Sequence, residues 1–159
     1  MKEEVVNEFN SPKSLTPLSA AYVLGNKPFR KEPKVIAGKW VIYLEQRPFE
    51  KGRSTILISQ LGSFKKEIQE LTPFPKNIKT RIHGYGGGAF SVKAIGDELW
   101  IVWIDDADGC VWFQVWTGIL IAHTQECSRL NPKHQPLCLS ISGKDSFANG
   151  VIDIKRKRW

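Results

Sequence analysis

The chain has 159 residues, 42% hydrophobic, 25% charged and 11% aromatic, the proportions of one ordinary globular domain. That composition excludes a disordered chain, a collagen and a low-complexity polymer, and no run of about 18 apolar residues offers a membrane-spanning helix. Lys and Arg number 23 against 16 Asp and Glu, a net charge of +7 that fits nucleic acid, acidic lipid or neither. Residues 1–13 are polar and without period, a loose tail, and MKEEVVNEFN has no apolar stretch of the kind a secretory signal needs. Thr16 is an acceptable N-cap, Pro17 suits the first helical position and Gly25 suits a stop, so LSAAYVL predicts one short helix over 17–24. The rest reads as strands rich in β-branched and aromatic residues: WVIYLEQ (40–46), STILIS (54–59), AFSVKA (89–94), LWIVWID (99–105), CVWFQVW (110–116) and VIDI (151–154). Asp106-Ala107-Asp108-Gly109 is a hairpin turn between two of them, because Gly109 can take φ > 0.

The charge is not spread evenly. Residues 26–39 hold five basic residues and one acid, and residues 144–159 hold five and two, so these stretches supply +4 and +3 and everything else sums to zero. The first contains two prolines and reads as a loop approaching a strand. The second ends in Lys155, Arg156, Lys157 and Arg158. A phosphate-binding patch is one reading of them. Solvated turns between strands is the better one, since no recognition helix or RNA-binding motif accompanies them.

An internal repeat organises the strands. WVIYLE begins at Trp40 and WIVWID at Trp100, matching type for type at an offset of 60 residues. A polar turn precedes each, a short apolar strand precedes each turn, and a loop and another strand follow. The pattern opens again at Val151-Ile152-Asp153-Ile154, with Trp159 at the place of the first hallmark tryptophan. A unit of four short antiparallel strands suggests a β-propeller blade, longer than the usual ~40–50 residues because of loops 46–53 and 117–136. The expected fold is therefore all-β: a partial β-propeller of about two blades plus the start of a third, with one short N-terminal helix. Residues 1–25 form the tail and helix, and 26–159 an incomplete propeller domain with repeats starting near 34, 88 and 148. A chance match of two strands in a β-sandwich is the alternative. A blade cannot cover both its faces alone, so this chain by itself is expected to self-associate.

Within this frame ELTPFPKNIKTRIHGYGGGAF (70–90) resembles a segment of the N-terminal propeller in the prolyl oligopeptidase family of serine peptidases, in the branch of dipeptidyl aminopeptidase and acylaminoacyl peptidase. There the pattern is ELTP, a spacer, then RVHEYGGGA. PLSAAYVLG (17–25), VIYLEQRPFEKGR (41–53) and GVIDIKRKRW (150–159) add to the likeness, while 117–136 match least. The resemblance implies a non-catalytic propeller that filters peptides entering a separate C-terminal α/β-hydrolase domain, which holds a Ser-Asp-His triad. It marks Arg81, His83, Tyr85, Gly86, Gly87 and Gly88 as structural motif residues. Gly84 stands where that pattern has Glu, so any role of that carboxylate is absent. No serine lies in G-x-S-x-G and no series of alternating strands and long helices follows, so the chain as it stands is expected to carry no catalytic residue and no cofactor.

Other chemistry reads weakly. Gly86-Gly87-Gly88 precedes a strand, not a helix, so it is a backbone bend rather than a phosphate cradle. His83 has no nucleophile or acid partner nearby and reads as structural. His123, Cys127, His134 and Cys138 form H-x3-C-x6-H-x3-C, a spacing of no standard zinc site, and Cys138 in PLCLSIS reads as a strand residue of the core. Glu45, Asp105, Asp106 and Asp108 supply carboxyls for a glycosidase pair but sit at strand ends and turns. The six tryptophans mostly fall on strands and read as packing rather than as a stacking platform. Three cysteines make no disulfide framework, so a cytoplasmic location is the simplest expectation. The expected partners are a hydrolase domain and its peptides, without a membrane. The alternative is a self-standing basic β domain that binds nucleic acid or another polyanion.

Overall fold

The computed structural model describes residues 25, 27–62, 67–82, 88–120, 129–141 and 145–159; the helix expected over 17–24 lies outside them. The described chain forms β1 (Phe29–Ile36), β2 (Trp40–Arg47), β3 (Arg53–Gln60), β4 (Ile68–Glu70), β5 (Phe90–Ile95), β6 (Glu98–Ile104), β7 (Val111–Thr117), β8 (Asn131–Pro132) and β9 (Leu137–Cys138). A single 3-10 turn, Pro48–Glu50, is the one helical piece among the described residues. None of the described helical structure is long and apolar enough to cross a membrane.

Two antiparallel sheets result, each strand pairing with the next in sequence: β1-β2-β3-β4, then β5-β6-β7 with β8 and β9 sharing the fourth position. β8 pairs with the end of β7 (Trp116 opposite Pro132), and β9 with its start (Trp112 opposite Cys138). This all-β pair of meanders is the propeller-like fold the repeat predicts. Two expectations need correction. The short apolar strand expected before the first turn, at Val35-Ile36, begins at Phe29 and takes in residues read as a loop: β1 lies at the sheet edge, where a proline is tolerated. The chain accommodates Pro33 by a register shift between Lys31 and Lys34, with Glu32 at φ 53°. Residues 151–154 are not a strand. Asp153 and Arg158 exchange backbone bonds of 2.8 and 3.1 Å, closing the segment on itself, and no described strand pairs with it.

The alternation of side chains along the strands explains the repeat. Trp40, Ile42 and Leu44 of β2 point to one side of the first sheet and join Ile56 and Ile58 of β3. They meet Leu99, Ile101 and Trp103 of β6 in one continuous core between the two sheets. The opposite side of β6 carries Trp100, Val102 and Ile104, which pack with Val111, Phe113, Phe147, Ile152 and Trp159 in a second core. Residues 40, 42 and 44 thus correspond to 100, 102 and 104, the same offset of 60 that relates the sequences. Each sheet presents its equivalent side to whatever follows it.

Polar bonds lock the two sheets. Trp40 Nε1 donates to Ile119 O at 3.2 Å, and Lys34 Nζ to Phe90 O at 2.8 Å. Gln69 holds Leu130 reciprocally, donating to its carbonyl at 2.7 Å and accepting from its amide at 2.8 Å. The segment after β4 crosses between the sheets: Ile78 N donates to Ser54 O at 2.8 Å, and Lys79 N to Ile104 O at 3.1 Å.

Candidate functional site

Charged side chains cluster on one rim of the first sheet because β2 and β3 pair from Trp40–Gln60 to Arg47–Arg53. That register sets Arg47 beside Arg53, and the tight turn between them brings in Glu50. β4 adds Glu70 opposite Leu57. Arg53, only 7% exposed in its side chain, bonds Glu50 at 2.5 Å and Glu70 at 2.7 Å. It also donates to the carbonyls of Thr72 at 3.3 Å and Lys76 at 3.0 Å. Arg47 bridges Glu45 at 3.1 Å, Glu50 at 3.0 Å and Glu70 at 3.3 Å. Burial pushes the Glu70 carboxyl up, but bonds from Arg53 and Thr55 and the charges of both arginines outweigh it and hold it below the usual range. The hydrogen bond from Arg53 does the same for Glu50. Phe49 and Phe74, 58% and 80% exposed, flank an open groove of about 690 Å³ above this network. Every arginine of its floor is already paired to a carboxylate. The arrangement positions a rim; among the described residues that line it there is no serine, threonine, cysteine or histidine.

The crossover to the second sheet carries the motif residues. Arg81 donates from Nη2 to Asp106 O, and its Nε lies 3.7 Å from Asp106 Oδ1. Its guanidinium covers the turn at Gly109 (φ +70°), where an added Cβ would stand 3.2 Å from Nη1. Asp105 is buried, with Lys76 Nζ at 3.2 Å, and Lys76 in turn lies 3.6 Å above the Trp112 ring. Asp108 caps Cys110 N at 2.8 Å and accepts from Trp112 Nε1 at 3.0 Å. Glu45 is buried between Arg30 and Arg47. Asp105, Asp106 and Asp108 are engaged at a strand end and turn as read, whereas Glu45 is engaged within β2, paired between Arg30 and Thr55. Gly88 is held by Asn149, which the sequence reading passed over. Gly88 N donates to Asn149 Oδ1 at 2.6 Å, and Asn149 N donates back to Gly88 O at 2.9 Å. Asn149 takes φ 56°, a conformation Asn tolerates better than most residues. His83, Tyr85, Gly86 and Gly87, like Gly84, lie outside the described residues.

Asn149 leads directly into the second core. After the turn at 153–158, Trp159 folds back so that its indole occupies the space beside Gly150, where an added Cβ would stand 1.9 Å from the ring. Phe147 lies against it at 6.2 Å. Trp100, Val102, Phe113, Leu139, Ile152 and Trp159 line a hollow of about 150 Å³ on the open side of the second sheet. Gly150→Ala is therefore expected to expel the Trp159 ring at a cost of about 1–3 kcal/mol. Urea melts check this, and the substitution should cost almost nothing in a Trp159→Ala background.

Of the four residues in the zinc spacing only His134 and Cys138 are described; among the described residues no three His, Cys, Asp or Glu side chains come together as a metal group. His123 and Cys127 lie outside those residues. His134 packs its ring 5.8 Å from Phe113, and its carbonyl accepts from Gln114 at 2.8 Å. Cys138 is on a strand, as expected, but exposed rather than in the core, because β9 is an edge of only two residues. Trp40, Trp103 and Trp116 are buried, which fits packing and leaves them no face for stacking on a base or sugar. Three arginines of the basic stretches pair with carboxylates while staying largely exposed: Arg30 with Glu45 at 3.0 Å, and Arg156 and Arg158 with the same Asp153 at 3.0 and 3.8 Å.

No family model matches this chain, and no curated protein does. Among solved structures it is similar to a Mycobacterium tuberculosis puromycin-hydrolyzing peptidase. The two are 28% identical with a TM-score of 0.54, over 62% of this chain and 15% of that one. The chain thus spans a small part of the peptidase it matches, and the likeness points to a peptidase-related fold.

Proposed function

We propose that this chain is the opening part of a β-propeller in a serine peptidase of the prolyl oligopeptidase type. In this reading it is non-catalytic and helps restrict which peptides reach a C-terminal α/β-hydrolase domain elsewhere in the polypeptide. The observation that carries it is the pair of equivalent sheet faces. Residues 40, 42 and 44 are covered by the second sheet, and residues 100, 102 and 104 face a third motif opening at Ile152 and Trp159. The likeness to a peptidase over 62% of the chain supports the same reading. So does the motif at 70–90, whose Arg81 and Gly88 both serve junctions rather than chemistry. Blade repeats start near 34, 88 and 148, with residues 1–25 preceding them. Isolated, the chain would self-associate through exposed apolar side chains such as Ile141 and Val151, 88% and 74% exposed. Polyanion binding is the weaker reading, since Arg30, Arg156 and Arg158 are engaged with carboxylates.

The test uses an antibody raised against the 159-residue chain to capture the native polypeptide, which is then treated with a fluorophosphonate probe for activated serines. A labelled polypeptide well above 18.0 kDa that cleaves chromogenic dipeptides is expected, with no turnover by the isolated chain. An unlabelled polypeptide, or turnover by the isolated chain, overturns the proposal.

A further inference from the structure

The β7–β9 pairing brings two of the three cysteines together. Trp112 faces Cys138 and Phe113 faces Leu137; one step on, Leu139 N donates to Val111 O at 2.7 Å. The same register sets Cys110 across from Ser140, so Cys110 and Cys138 are diagonal neighbours on one face of the ladder. The ladder is irregular at this point: Val111 N turns to Ser140 Oγ at 2.9 Å instead of to a backbone carbonyl. Cys138 Sγ donates to Ser140 O at 3.1 Å, and Cys110 Sγ lies 4.0 Å from Asp108 O. One thiol is exposed and the other buried.

We propose that Cys110 and Cys138 form a reversible disulfide that staples the two-residue strand β9 to the start of β7. The exposed thiol reacts first. The Cys138 thiolate attacks one sulfur of a disulfide oxidant such as oxidised glutathione, forming a mixed disulfide and releasing one reduced glutathione. Cys110 then gives up its proton to water and attacks the Cys138 sulfur, releasing the second. The chain loses two protons and two electrons, and one oxidised glutathione becomes two reduced ones. Burial, and then the neighbouring Cys138 thiol, keep Cys110 protonated above its ordinary range, so the second step is the slow one. Diagonal positions, about 7–8 Å apart, lie at the limit of disulfide reach, so the two-residue strand β9 must shift toward Cys110 to close the bond, and the strain makes it readily reducible rather than permanent. It would be open in a reducing compartment and closed in an oxidising one. The linked ring encloses residues 110–138, including the segment that matches peptidase propellers least. It does not depend on the peptidase reading.

The experiment titrates the folded chain with mixtures of oxidised and reduced glutathione, then maps the linked peptides by mass spectrometry. Free thiols should fall from three to one, or to none where Cys127 takes up glutathione, with Cys110 joined to Cys138 in either case. The effective concentration for this pair should exceed its value in urea by at least about tenfold. The linked chain should also melt several degrees higher, a gain that reductant and Cys138→Ser both abolish. Cys127→Ser should leave the linkage intact. Pairing through Cys127, glutathione adducts on Cys110 and Cys138 without a link, or equal pairing in urea would each overturn the proposal.

Discussion

Trp103→Ala should remove a large share of the stability of the chain, about 3–5 kcal/mol from a total that is about 5–15 kcal/mol for domains of this kind. Trp103 is 1% exposed and sits in the core between the two sheets, the same cluster that holds Ile42, Leu44 and Ile101. Truncation there opens a cavity at the joint on which both sheets depend, so both should unfold in one transition at lower urea. Trp103→Phe is a sharper test of the same site. The buried indole Nε1 has no hydrogen-bond partner among the described residues, so phenylalanine keeps most of the packing and removes an orphan donor. Its cost should fall below about half that of alanine. Urea melts followed by circular dichroism measure both, and equal costs would show that the indole does more than pack.

Arg53→Met should cost about 3–5 kcal/mol near neutral pH. The methionine fills much of the volume but leaves the carboxylates of Glu50 and Glu70 and the carbonyls of Thr72 and Lys76 without their shared donor. The pH dependence distinguishes this from simple packing loss. The Glu50 and Glu70 carboxyls are held below their ordinary range in the folded chain. A depressed carboxyl stabilises the fold above its unfolded pKa of about 4.3, and that stability disappears as pH falls through the folded value. The native chain should therefore lose stability in acid more steeply than the variant. The gap between their urea midpoints should narrow between pH 7 and about pH 3.5. A gap that stays constant would mean that these ion pairs contribute nothing beyond filling space.

The sheets were legible in the sequence because their signal is local. β-branched and aromatic alternation placed β2, β3, β5, β6 and β7, and the match of Trp40 with Trp100 gave the phase in which one sheet follows another. β1 was obscured because Pro33 reads as a strand breaker, and only its edge position makes it harmless. The run VIDI carries strand propensity, yet a strand also requires a neighbour. The turn at 153–158 takes its backbone bonds instead. β4, β8 and β9 are two or three residues long and exist through their pairing, not through their composition.

The candidate site was harder to read, because its partners are distant in sequence. Arg47, Glu50 and Arg53 show an alternation of charge at intervals of three that hints at a turn network, but Glu70 joins it only through the β3–β4 pairing. The motif residue Arg81 was singled out by resemblance, whereas its acceptor at Asp106 depends on the crossover between sheets. Asn149 lies 61 residues from the Gly88 it holds, with no periodicity to announce it. The H-x3-C-x6-H-x3-C spacing shows the converse, a regular pattern whose described members His134 and Cys138 serve a ring contact and a strand edge.

The most direct test of blade stacking is hydroxyl-radical footprinting of Trp100, Phe113, Leu139 and Ile141 in the isolated chain and in the native polypeptide captured by antibody. These residues line or border the open side of the second sheet. Strong protection of all four in the native polypeptide, with Trp40 and Trp103 unchanged, is the predicted result. Equal labelling in both would contradict a further blade on that face.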